Sequence, residues 1–198
     1  MAARIPRVRT DVDGHSFLEI YPDGQSSTLI VFVHGIFGDP RGTWAETPHT
    51  LMMFPALAEA DWGSFGYDTA LIYRRDSKQT LDQLLLWIRT HAQQYQSIFF
   101  VAHSMGGLLV RDLCAKLALS DRQSDLTLFV KIRHGFLVAT PVGGAVWARR
   151  IAKIPLLRKL NSHLPYLEQA ASYISKFPSY ASAIDAAKLR GGSLIATD

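Results

Sequence analysis

Two stretches of this sequence carry residues that could attack and stabilise an acyl group. In VAHSMGGLLV, Val101–Val110, a serine stands between a short apolar run and a helix-like run. Ser104 would then occupy a sharp strand-to-helix turn. Its hydroxyl would project outward there, and the N–H of Met105, at the helix N-terminus, would face a developing oxyanion. Backbone crowds such a turn, so small neighbours are needed; Ala102, Gly106 and Gly107 supply them. A nucleophilic serine in this setting usually sits in Gly-x-Ser-x-Gly, with glycine where Ala102 stands. The plainer alternative is that Ser104 only caps the helix, because serine is a favoured N-cap.

The second stretch is VFVHGIFGDPRGTW, Val31–Trp44, an apolar run that ends in His34-Gly35 and a glycine-rich loop. Such a loop can bring a second backbone N–H opposite Ser104, since glycine allows backbone to approach a reacting carbonyl closely. The amide of Ile36 is the expected donor, with Phe37 next. Alone, His-Gly is weak evidence and is compatible with an ordinary loop histidine.

Placing these loops together requires a particular scaffold. Asp13-Gly14 between Val8–Val12 and Ser16–Tyr21 predicts a β-hairpin. Thr28–Val33 and Ile98–Ala102 read as buried parallel strands. A helix is expected over Leu51–Ala60 and a short strand over Thr69–Tyr73. Leu81, Leu84, Leu85, Ile88 and Ala92 recur at helical spacing. Met105–Leu119 predicts a second helix, Arg133–Ala139 a further strand, and Ser193–Thr197 a last one. Segments near 142–154 and 162–189 read as helical, interrupted at Pro155, Pro165 and Pro178. Alternation of this kind predicts an α/β domain over 1–198, a mostly parallel sheet with helices on both faces. Ligands bind such sheets at the carboxyl ends of the strands, where both loops lie.

AHSMGG and VHGIFG resemble the serine turn and oxyanion loop of α/β-hydrolase-fold lipases and esterases, including small bacterial lipases. HGIFGDPRGTW, HSMGGLLVR and ATPVGG are also similar to a branch of glycosylphosphatidylinositol-inositol-deacylase-like hydrolases. The resemblance covers roughly residues 5–145 and implies a serine hydrolase of the α/β-hydrolase fold. It makes Ser104 the nucleophile and the Ile36 and Met105 amides the oxyanion donors. His34 and His103 become structural, and the region of about 142–190 a cap over the site.

In that fold the chain order is Ser, then Asp or Glu, then His. The strand ending at Ala139-Thr140-Pro141 offers no carboxylate. Ser193–Thr197 ends at Asp198, which fits the triad acid or is simply the last residue. His134 and His163 are poorly placed as bases, since a base must reach the serine. The expectation is therefore of a domain incomplete at its C-terminus, its catalytic histidine lying beyond residue 198.

Composition narrows the class further. Hydrophobic residues make up 48% and charged ones 19%, as in a folded domain rather than a disordered chain. The net charge of +4 is too small and dispersed to imply nucleic acid. Cys114 is the only cysteine, so no internal disulfide forms and no oxidising compartment is required. No signal-peptide core and no run near the ~18 apolar residues of a membrane span is present; a soluble, cytoplasmic protein is expected. From Pro141 onward there are eight Lys or Arg against three Asp or Glu. Trp147–Leu160, WARRIAKIPLLRKL, is thus an amphipathic helix on the core or an interfacial lid touching anionic lipid. The expected activity is cleavage of small-molecule or lipid carboxylic esters, with no metal or cofactor. The competing expectation is a catalytically silent hydrolase-like module that binds a protein partner.

Overall fold

The computed structural model describes residues 8–11, 16–21, 26–35, 38–67, 77–140 and 195–197. Its centre is a seven-stranded sheet. The strands are β1 (Val8–Asp11), β2 (Ser16–Tyr21), β3 (Thr28–Val33), β4 (Asp61–Tyr67), β5 (Ser97–His103), β6 (Ile132–Val138) and β7 (Ile195–Thr197). Their order across the sheet is β1-β2-β4-β3-β5-β6-β7. β4, β3, β5, β6 and β7 run parallel, while β1 and β2 pair antiparallel with each other and β2 antiparallel with β4. The expected hairpin, the central parallel strands and the last short strand are therefore all present. The described helices are α1 (Thr47–Met52), α2 (Ser77–His91), α3 (Met105–Ala118) and α4 (Gln123–Lys131).

β3 shows why the sequence runs continuously apolar in the middle. Side chains alternate across a strand. Leu29, Val31 and Val33 enter one core with Leu84, Ile88, Leu109 and Leu113 from α2 and α3. Ile30 and Phe32 enter another, with Trp44, Ala60, Trp62 and Leu51 of α1. Helices thus lie on both faces. Fully burying side chains of this size stabilises by about 1.5–3 kcal/mol each, so the two-sided strands dominate the cohesion of the sheet. β5 is sided differently. Ile98, Phe100 and Ala102 are buried against the α2–α3 layer, whereas Phe99 and Val101 on the other face are only half-buried.

One element differs from expectation. The helix expected over Leu51–Ala60 is instead α1, over Thr47–Met52. Pro48 sits in its first turn, where a missing N–H costs nothing. Pro55 cannot donate to Leu51, and the chain continues as successive turns, Leu57 N–H to Phe54 and Ala60 N–H to Leu57. The strand beside β3 is Asp61–Tyr67; Thr69–Tyr73 lies outside the described residues. So do the helical segments expected from 142 to 190 and the basic stretch Trp147–Leu160. Among the described residues no helix is long and apolar enough to cross a membrane.

α4 is anchored by Leu128 and Phe129 in the core and by a buried charge pair. Arg89 of α2 forks onto Asp125, Nε to Oδ1 at 2.8 Å and Nη2 to Oδ2 at 2.6 Å, and Ser120 Oγ donates to Oδ2 at 2.6 Å. Asp125 is buried, and the Arg89 guanidinium beside it holds its carboxyl below the usual carboxylate range. Asp125→Asn leaves a guanidinium without its counter-charge, so a loss of about 3 kcal/mol is expected in urea unfolding at pH 7. A depressed carboxylate pKa stabilises above the unfolded value and ceases to do so as pH falls through the folded one. The difference between parent and variant should therefore shrink below about pH 4; a difference that stays constant down to pH 2 excludes this account.

Candidate active site

Ser104 stands between the end of β5 and the start of α3, with φ 51° and ψ −119°. An L residue adopts this conformation only under strain of order 1–3 kcal/mol. A capping serine has extended dihedrals and bonds to the helix N–H groups. Ser104 has neither: its side chain makes no cap hydrogen bond. Its own N–H donates to Val138 O at 2.9 Å, and its carbonyl accepts from Gly107 N–H at 3.1 Å. The turn is tied to the end of β6, and the hydroxyl makes no hydrogen bond to the helix it precedes. The N–H of Met105 has no acceptor among the described residues, as a helix N-terminus leaves it.

Three glycines let this turn form. A Cβ on Gly35 would lie 2.8 Å from Ser104 Cβ and 2.9 Å from His103 Nδ1. One on Gly106 would lie 2.4 Å from His34 O and 2.5 Å from Val33 O. One on Gly107 would strike the Thr140 side chain. The serine turn is thus packed closely against the end of β3, and the Thr140 side chain lies against Gly107.

The loop after β3 is built to present its backbone. His34 is fully buried, with Nδ1 2.9 Å from Gly35 O and Nε2 3.2 Å from the Tyr67 N–H. Nε2 must accept, so the proton is on Nδ1 and donates to Gly35 O. The ring stacks on Tyr67 at 4.2 Å, and Tyr67 Oη donates to His34 O at 2.7 Å. Burial lowers the His34 pKa, which keeps the ring neutral. Further along, Asp39 Oδ1 accepts from the N–H of Arg41 and of Gly42, and Trp44 packs on Phe32 at 5.3 Å. Ile36 and Phe37, the expected donors, lie outside the described residues.

The remaining sequence candidates separate clearly. His103 lies with Nδ1 toward Gly35. His134 is aligned with Phe99, four residues before the pair His103–Val138. At about 3.3 Å per residue that is ~13 Å from the serine end of the sheet, and its ring stacks on Phe99 instead. Neither His34, with both nitrogens engaged, nor His134 can take the Ser104 proton. His163 and Asp198 lie outside the described residues; β7, which Asp198 follows, runs parallel to β6 in the register Val138–Thr197. Cys114 is fully buried, and desolvation pushes its thiol up to about 12, so it is no nucleophile.

Sequence reading passed over two polar residues of the α3 region. Desolvation pushes the carboxyl of Asp112 up to about 7. It lies two turns beyond Ser104, ~12 Å along the helix, too far to touch it. Thr140 is buried beside Gly107, and its Oγ1 has no hydrogen-bond partner among the described residues. Neither has a local sequence signal: both depend on what the third dimension places over them.

Solved structures share this fold. An esterase B from Lactobacillus rhamnosis aligns at TM-score 0.51 and 13% identity, over 91% of this chain and 69% of its own. An esterase from Pyrococcus furiosus aligns at TM-score 0.50 and 14% identity, over 96% and 80%. A hydrolase structure from Agrobacterium vitis S4 gives TM-score 0.52 and 15% identity, over 71% and 56%. The chain spans about half the length of that hydrolase and of two other matching structures, 43% and 50% of theirs. At such identities the likeness is one of fold, and the fold is the α/β-hydrolase fold. No curated protein matches the chain. Residues 10–185 match the model of a family described as a domain of unknown function, DUF7379, and the chain belongs to that family.

Proposed function

We propose that this protein is a serine hydrolase that cleaves carboxylic esters through an acyl-enzyme on Ser104. The observation that carries this reading is the strained serine turn itself. A cap would relax to extended dihedrals and bond to α3, whereas Ser104 holds φ 51° with its side chain uncommitted to the helix. Strain of this kind persists only where the surroundings impose it, and it clusters at reacting groups. In this reading Ser104 Oγ attacks the ester carbonyl, and the Met105 and Ile36 N–H groups hold the oxyanion. The acyl-enzyme is then hydrolysed by water. Asp198 is the proposed acid, from its place directly after β7. The base is an imidazole outside the described residues. Small-molecule or lipid esters are the proposed substrates, and esterases share the fold.

A fluorophosphonate probe tests the reading directly. Labelling is expected on Ser104 in the folded protein and absent from Ser104→Ala. A folded protein that stays unlabelled removes the hydrolase reading and leaves a hydrolase-like module that binds rather than cleaves.

A further inference from the structure

Resting on the hydrolase reading, we infer that Tyr67 is a positioning residue of the site: its hydroxyl fixes the His34 carbonyl against which the first turn of α3 is set. The β3–β4 ladder ends at the pair Val33–Phe65. Beyond it β3 gives way to the loop, while β4 continues for two residues paired with β2. Tyr67, the last of these, holds the end of β3 through other groups. Its N–H donates to His34 Nε2 at 3.2 Å, its ring stacks on the imidazole at 4.2 Å, and its Oη donates to His34 O at 2.7 Å. Both residues are buried. The hydroxyl thus continues, one residue past the ladder, the anchoring that backbone N–H groups give along it.

The same carbonyl meets the serine turn. A Cβ on Gly106 would lie 2.4 Å from His34 O, so α3 begins in direct contact with that oxygen. Gly106 directly follows Met105, whose N–H is a proposed oxyanion donor. One residue along the loop, His34 Nδ1 donates to Gly35 O, and a Cβ on Gly35 would lie 2.8 Å from Ser104 Cβ. His34 therefore bears on the turn through its own carbonyl and through Gly35, and Tyr67 acts on the turn through His34. A shift of His34 O moves the Met105 N–H relative to the charge that develops on the attacked carbonyl oxygen. That N–H binds the oxyanion more strongly than the ground-state ester, so its displacement lowers kcat rather than raising KM.

The test compares Tyr67→Phe and Ser120→Ala with the parent on a short p-nitrophenyl ester, with Ser104→Ala as the blank. Tyr67→Phe keeps the ring and the backbone N–H and loses only the hydroxyl. Ser120→Ala loses a hydrogen bond to Asp125 beyond the opposite end of α3 from Ser104, and controls for stability. Each variant should melt roughly 2–4 °C below the parent, as the loss of one hydrogen bond implies. Tyr67→Phe should lose about tenfold in kcat at unchanged KM, and about tenfold in its rate of fluorophosphonate labelling. Ser120→Ala should keep both parental values. A Tyr67→Phe protein with parental kcat overturns the inference. So does a loss of activity that Ser120→Ala shares, or a Tyr67→Phe chain that does not fold, since either makes the hydroxyl structural only. If the parent is no faster than Ser104→Ala, the hydrolase reading itself fails and this one with it; an active parent with an indifferent Tyr67→Phe sinks only the present inference.

Discussion

Ser104→Gly is expected to unfold at a higher temperature than the parent and to lose hydrolysis by on the order of 10⁴-fold. The two effects have one origin. At φ 51° and ψ −119° the serine Cβ is strained against its own backbone, a conformation that glycine adopts freely. Relief of about 1–3 kcal/mol is offset by about 0.4–1 kcal/mol, because glycine makes the unfolded chain more mobile. A net gain of about 1 kcal/mol remains, which raises Tm by roughly 2–4 °C for a domain of this size. Ser104→Ala removes the same hydroxyl but keeps the Cβ and hence the strain. It should therefore be as inactive as the glycine variant and no more stable than the parent. Calorimetry on the three proteins decides the matter: equal melting temperatures for Gly and Ala mean that no strain is held at this turn. A variant that retains parental turnover means that the hydroxyl is not the nucleophile.

What the sequence displays plainly is what repeats or concentrates. β3 and β5 were readable because central parallel strands concentrate apolar residues, and α2 and α3 because one face recurs every three to four positions. β4 was not. Its sequence DWGSFGY is buried along its whole length, yet Gly63, Ser64 and Gly66 dilute the apolar signal. Trp62 and Phe65 anchor it to opposite cores. α4 escaped for the converse reason: Leu128 and Phe129 are its buried apolar anchors, and Asp125, bonded to a residue 36 positions away, does the rest. The serine turn was legible because Gly106 and Gly107 are local to it. The state of His34 was not, since its neutral tautomer is set by Tyr67, 33 positions on. Thr140 gains meaning only from Gly107, which a pass along the chain never brings beside it.

The second large effect falls on the turn's support rather than on its serine. Gly106→Ala should destabilise the protein by about 3 kcal/mol and abolish labelling of the fraction that still folds. The added Cβ would sit 2.4 Å from His34 O, 2.5 Å from Val33 O and 2.9 Å from Val33 C. None of these atoms can readily step aside: Val33 ends β3, which is paired with β4 on one edge and β5 on the other, and His34 O is held by the Tyr67 hydroxyl. An ordinary contact therefore requires the N-terminus of α3 to lift by about an ångström. That movement opens the core around the buried Met105 and Leu109, and it carries the Met105 N–H away from the oxyanion it would hold. Gly107→Ala makes an instructive contrast. The obstacle there is the side chain of Thr140, so adding Thr140→Ala should recover part of the lost stability, a coupling that a double-mutant cycle in urea measures. No side-chain truncation can rescue Gly106→Ala in this way. If Gly106→Ala proves within 1 kcal/mol of the parent, α3 does not bear on β3 as tightly as the geometry requires, and the serine turn must be held by the post-β6 segment alone.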